Sequence, residues 1–272
     1  MPDLSRLAIH TITNKPWSLA ECIYAYKKIG IPALSVWRNV IEPLGAKEAG
    51  QMLRDSGLKV PALIRGGFFT STDASVRQAT LDDNRRCIDE ACEIGAEMVV
   101  LVVGATPGLA LAEARKQVAD SIHSILPHAQ AANVKLAIEP LHPMYAADRS
   151  CINRIKEARQ ICEQLHHSML GIALDVYHTW WDPDLEQEIA HASRQKTLFA
   201  FHVCDWRVPT RDFLNDRTLM GKGCIPLKTI RQWVDLAGFT GPIEVEIFSD
   251  EYWAMDQTRY LEMIRDAWLT QL

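Results

Sequence analysis

Apolar residues in this chain fall into two kinds of run. Short, almost unbroken ones, such as MVVLVV at 98–103 and KLAIEP at 135–140, suit parallel strands covered on both faces. Longer stretches between them carry apolar residues at helical spacing. The pattern predicts strands over 7–12, 33–37, 60–65, 97–103, 135–140, 171–176, 198–203 and 242–247. It predicts helices over 18–29, 46–56, 73–94, 109–132, 149–166, 183–195, 226–237 and 251–271. Ser18 stands where the first helix needs a cap, and Gly30, Gly57, Gly95 and Gly238 follow helix ends, the usual entry and exit signals. Three exits, YKKIGIPAL, ACEIGAEMVV and VDLAGFTGPIEV, repeat one phrase of helix, glycine, turn and strand. Eight β–α alternations without a linker or low-complexity tract predict an α/β chain forming one (β/α)8 barrel over residues 1–272,. No Gly-x-Gly-x-x-Gly follows the first strand, which argues against a dinucleotide-binding sheet.

Four strand candidates end in a side chain that metals favour: Glu139 in LAIEPLHP, Asp175 in GIALDVYH, His202 in LFAFHVCDW and Glu246 in PIEVEIFSDEYW. A buried charge needs a partner, and strands five to eight of a barrel end side by side. Singly, each has a plain explanation as a turn cap or a core histidine. Together they form a site for a divalent cation, with Mn²⁺ or Co²⁺ favoured and Mg²⁺ or Zn²⁺ compatible. His178, Asp205 and His142 each lie three residues beyond one of the four, where they can orient ligands or meet substrate hydroxyls. Arg207 is a candidate clamp for a substrate oxygen, and His10 and Arg65 are weaker candidates from strands one and three. Trp17, Trp37, Trp180, Trp181, Trp206 and Trp253 all follow strand ends, as suits indoles stacking on the C–H face of a sugar or cyclitol; Trp37 is the one counted as a substrate contact.

The net charge of −5 disfavours a nucleic-acid partner. The seven cysteines show no Cys-x-x-Cys pair, as in a reducing compartment. The amino terminus lacks a secretory pattern, and no apolar run reaches the roughly 18 residues of a membrane helix. These observations predict a cytoplasmic enzyme for a small molecule, with no membrane partner and with a homo-oligomer allowed.

The set Glu139, Asp175 with His178 in LDVYH, His202 in FHVCD and Glu246 in VEIFSDEYW, backed by MGKGCIPLKTI, resembles the xylose-isomerase-like barrel superfamily, the sugar-phosphate isomerase/epimerase group, along essentially the whole chain. Length and the EIFSDEYW stretch look most similar to its inosose isomerase branch. One departure is Lys222, which stands where the late glycine-rich segment usually carries an acid. The resemblance implies a metal-dependent isomerase or epimerase for a ketose or keto-cyclitol, working through a metal-bound cis-enediolate with Glu139 and Glu246 as acid–base pair and no organic cofactor. The same enolate would serve a dehydratase or a lyase on keto-sugars or 3-keto-glycosides. A DNA-repair endonuclease relative and a non-catalytic sugar-binding barrel are the remote alternatives.

Overall fold

A computed structural model describes residues 3–272. The strands are β1 (Leu7–His10), β2 (Ala33–Trp37), β3 (Ala62–Gly67), β4 (Met98–Val102), β5 (Lys135–Ile138), β6 (Leu170–Asp175) and β7 (Leu198–Val203). Two short strands follow, β8 (Asp205–Trp206) and β9 (Arg217–Thr218), and then β10 (Ile243–Val245). β1 to β7 and β10 pair in parallel and close into a barrel, with β10 beside β1. β8 and β9 form an antiparallel hairpin inside the long connection that the sequence marks only as charged loop.

A helix of at least ten residues follows each barrel strand: Leu19–Lys28, Ala46–Ser56, Ala74–Ile94, Leu111–Ala132, Ile155–Leu165, Leu185–Arg194, Leu227–Leu236 and Gln257–Gln271. Ser18 and Glu21 form the first helix's capping box, and Gly95, at φ +74°, takes the left-handed exit that favours glycine,. Two expected helices are shorter than their patterns. Residues 149–154 stay outside the helix, in turns and bends, because Asn153 donates to the carbonyls of Leu141 and Ser150, and Glu157 caps the helix behind it. The stretch 251–271 is broken after the short helix Asp250–Trp253, and Asp256 caps the helix that follows. No helix among the described residues is long and apolar enough to cross a membrane.

The larger core lies between strands and helices; a smaller one plugs the barrel itself, with Ala62, Ile64, Met98, Val100, Ala137, Ala173 and Ala200. Side chains two apart on a strand share a face. Ala137, Ala173 and Ala200 therefore dictate that Glu139, Asp175 and His202 also point inward, one layer nearer the carboxyl ends. The same parity on β10 puts Glu244 and Glu246 on one side. Register sets Glu244 and Asp175 on either side of His202, and His10 beside Ser35. A polar layer thus rests on an apolar plug.

β3 and β4 approach closely at Gly67, whose φ is +112° and whose added Cβ would meet the Val102 carbonyl oxygen at 1.9 Å. Asn84 secures this bulge: its Oδ1 accepts from Gly67 N–H at 2.7 Å, and its Nδ2 donates to the Gly67 carbonyl at 2.9 Å. Asn84→Ala would leave both backbone groups buried without partners, a cost of about 2–4 kcal/mol. Urea denaturation followed by circular dichroism should show the lower midpoint; a shift equivalent to under about 0.5 kcal/mol would dismiss the clamp.

Candidate metal centre

Glu139, Asp175, His202 and Glu246 offer ligand atoms that all lie within 4.8 Å of one another, and all four residues are buried. His202 Nδ1 is 2.9 Å from Glu139 Oε1. Arg217, from β9, donates through Nη1 to Asp175 Oδ2 at 2.9 Å and to Glu246 Oε2 at 2.8 Å. His10 stands between two carboxylates, with Nδ1 2.9 Å from Glu246 Oε1 and Nε2 3.1 Å from Glu244 Oε2. Ser35 also donates to Glu244. His202 Nε2 has no hydrogen-bond partner and faces Glu244 Oε1 at 3.9 Å.

These contacts decide where protons sit. Burial alone would lower the pKa of His10, but Glu246 and Glu244 outweigh it and raise it above the ordinary histidine value. Burial likewise opposes a charge on His202, yet the hydrogen bond to Glu139 and the charges of Glu244, Glu139 and Glu246 raise it to about 10. Asp175 and Glu246 share Arg217 but respond in opposite ways. Burial pushes Asp175 up to about 7 against the pull of Arg217. Glu246 overcomes its burial because His10 acts on it as well as Arg217, and it stays well below the ordinary carboxylate range. Glu246 is the ionised member of the pair. His178 is held neutral, first by burial and then by Arg217, whose Nη2 lies 3.2 Å from its Nε2.

Three carboxylates and an imidazole are a donor set for a hard or borderline dication. The surroundings fit such an ion. His202 Nδ1 already lies 2.9 Å from Glu139 Oε1 among the donors, and the proton it shares there would give way to a cation while Nε2 keeps its place facing Glu244,. Beside the cluster lies a cavity of about 210 Å³, walled by Glu139, Glu246, His178 and Arg217, by Arg65 and Arg149, and by Trp37, Tyr145, Leu214 and Phe248. Larger hollows elsewhere, such as that between helices Leu19–Lys28 and Ala46–Ser56, hold no comparable convergence of buried ionisable groups.

Of the expected substrate contacts, His178, Trp37 and Arg65 reach the cavity. His10 is wholly buried and supports Glu246 from behind. His142 does not wall the cavity; its ring packs 5.1 Å from that of Trp206 and 5.7 Å from that of Trp181. Arg207 is drawn aside to Asp216 at 2.8 Å and Glu251 at 3.2 Å. Of the six tryptophans near strand ends, Trp37 alone walls the cavity. Asp205 works on the backbone, accepting from the N–H groups of Trp206, Gly221, Gly223 and Ile225. A Cβ on Gly223 would meet the Trp206 carbonyl oxygen at 2.1 Å, which explains a glycine in MGKGC, while Lys222 faces solvent. Two residues went unread in the sequence. Glu244 carried a signal, since it stands two before Glu246 and must share its face. Arg217 comes from an irregular loop, and no period marks it.

The closed parallel eight-stranded barrel carries a buried cluster of carboxylates and histidine at the carboxyl ends of its strands. The chain belongs to the xylose isomerase-like TIM barrel family, whose model matches residues 23–271. A crystal structure of a Sinorhizobium meliloti 1021 protein superposes with a TM-score of 0.96 at 46% identity over 99% of both chains. The inosose isomerase of Bacillus subtilis strain 168 is 23% identical over 192 residues, covering 69% of this chain and 67% of that one. The IolI protein, crystallised with a bound zinc atom, shares the fold with a TM-score of 0.85 at 19% identity, over 97% of this chain and 96% of its own.

Glu244→Ala would remove one of the two carboxylates that hold His10 and leave the Ser35 hydroxyl without its acceptor in the barrel interior. A loss of about 3–5 kcal/mol is expected, read as a lower midpoint in chemical denaturation. Glu244→Gln keeps an acceptor for one of them and should recover part of the loss; equal stability of all three proteins would refute the network.

Proposed function

We propose that this protein is a divalent-metal-dependent isomerase or epimerase acting on a ketose or keto-cyclitol. The observation that carries the reading is the convergence of Glu139, Asp175, His202 and Glu246 on one small cavity with His178 and Arg217. Relatives named as inosose isomerases support it. Glu139, Asp175, His202 and Glu246 would hold the cation, which when bound supplies Lewis-acid stabilisation of charge on substrate oxygens.

The chain's own groups do the proton work. Glu246, kept ionised by His10 and Arg217, takes the proton from the carbon beside the substrate carbonyl. Glu139, whose Oε1 faces His202, enters the step carrying a proton from solvent and delivers it, and Glu246 then releases the proton it took to solvent, which resets the pair. Delivery to the opposite face of the same carbon epimerises it; delivery to the former carbonyl carbon, with the hydroxyl proton passing to the former carbonyl oxygen, transposes the carbonyl. His178 Nδ1 is buried without a partner and is available to a substrate hydroxyl. Trp37 and Phe248 offer apolar faces to C–H groups,. The cavity of about 210 Å³ is of a size to seat one small ring beside the cluster.

Incubation of ketoses, inososes and 3-keto-glycosides in deuterated water with Mn²⁺ should place solvent deuterium at the carbon next to the carbonyl. Conversion with full retention of the original hydrogen would replace the acid–base scheme with a hydride shift. Glu246→Gln and Glu139→Gln should each lower turnover by about 10²- to 10⁴-fold, without multiplying in the double variant.

The ion itself is tested separately. Since His202 is protonated up to about pH 10 before a cation arrives, Mn²⁺ binding should release protons and tighten as pH rises. Calorimetry in buffers of different ionisation enthalpy reads that release. His202→Ala should lower Mn²⁺ content while the barrel stays folded; unchanged stoichiometric content would remove His202 from the ligand set.

A further inference from the structure

Every arginine among the described residues that is buried or half-buried reaches a carboxylate or a backbone carbonyl, except two. The exceptions, Arg65 and Arg149, both wall the cavity. Neither has a carboxylate within the 4.0 Å of an ion pair, although Glu139 and Glu246 act on Arg65 from farther off. Their guanidinium groups lie over aromatic rings, Arg65 4.4 Å from the Phe68 centroid and Arg149 5.4 Å from that of Tyr145. They are also close enough to repel. Burial, and after it the charge of Arg149, holds Arg65 below the ordinary arginine value.

Charge accounting sharpens the point. Arg217 engages Asp175 and Glu246, His10 lies against Glu246 and Glu244, and His202 lies against Glu139. Every carboxylate of the cluster thus has its own partner. Arg65 and Arg149 remain as two guanidinium groups on the cavity wall with no paired carboxylate. Two like charges held half-buried and together are unfavourable without a counter-charge, and a planar guanidinium pair is suited to fork onto the oxygens of a carboxylate or phosphate.

We propose that Arg65 and Arg149 form an anion subsite, so that the substrate carries a carboxylate or phosphate group besides its reacting carbonyl and hydroxyl. This rests on the isomerase or epimerase reading above and narrows its substrate class from ketoses and keto-cyclitols in general to those bearing an anionic group. The geometry also orders the substrate in the cavity, with the anion held by the two arginines and the reacting carbon at Glu139 and Glu246.

The test has two arms. In the first, inorganic phosphate and acetate are titrated calorimetrically onto the protein after metal is stripped on a chelating resin, in buffer free of both divalent cations and EDTA, so that neither a cation nor a polycarboxylate competes. At least one should bind, about 10- to 100-fold more weakly in Arg65→Met and Arg149→Met, and the preferred anion identifies the group. In the second, deuterium exchange with Mn²⁺ compares matched keto substrates, fructose against fructose 6-phosphate and a neutral inosose against a ring ketone bearing a carboxylate. The anionic member of one pair should have the higher kcat/KM, and the anionic-to-neutral ratio should fall about 10- to 100-fold in either variant. Arg65→Lys and Arg149→Lys, which keep the charge, should recover part of both effects and stand in where a Met variant does not fold. Anion binding that is equal in wild type and variants, or a substrate ratio that the variants leave unmoved, overturns the subsite. Anion binding lost in the variants while no keto substrate exchanges its proton keeps the subsite and overturns the isomerase reading. Exchange on neutral ketoses with no anion effect does the reverse.

Discussion

Four carboxylates, Glu139, Asp175, Glu244 and Glu246, are held almost out of reach of water in the throat of one barrel, and the need to offset their charge organises the rest. Isolated, each would take up a proton or unfold its surroundings. The protein answers with His10 and Arg217, one from the first strand and one from the last long loop, so the two ends of the fold are tied through the same cluster. The result is a layer with no slack. Glu246 is gripped from both sides, Glu244 is held by His10 and Ser35, and His202 is caught between Glu139 and Glu244. A dication would meet donors already aimed and partly charged, so little reorganisation accompanies binding.

The barrel was legible in the sequence because its signals are local and repeated. Apolar runs of strand length, the glycine exits and the cap at Ser18 each report on a few neighbouring residues, and eight repeats leave few topologies open. Glu139, Asp175, His202 and Glu246 could be read because each interrupts an apolar strand at its end, where only the barrel mouth could receive it. What stayed hidden is what depends on distant partners. Arg207 and Arg217 sit in the same charged loop, and nothing in their neighbours says that one turns to Asp216 and the other into the barrel. His142 and His178 occupy equivalent positions after their strands, yet one packs on tryptophans and the other meets Arg217.

Tryptophan placement teaches the same limit. Position after a strand end correctly put Trp180, Trp181 and Trp206 on one side of the barrel, but side-chain direction there follows from the hairpin and from Asp205's hold on the backbone, which no spacing encodes. Those rings pack on one another and on Tyr177 and His142, building a wall around the mouth while Trp37 takes the place at the cavity.

The long connection between β7 and β10 is pinned at both ends, at one by Asp205 gripping Gly221, Gly223 and Ile225, at the other by Arg217 locked into the carboxylate layer. Between those pins, residues 208–214 lie largely in solvent, apart from Leu214 in the cavity wall and the Phe213 carbonyl, which takes hydrogen bonds from Tyr145 and Tyr177. The loop tip is therefore an interchangeable cassette. Insertions or replacements there can reshape what enters the mouth while the carboxylate layer keeps its geometry.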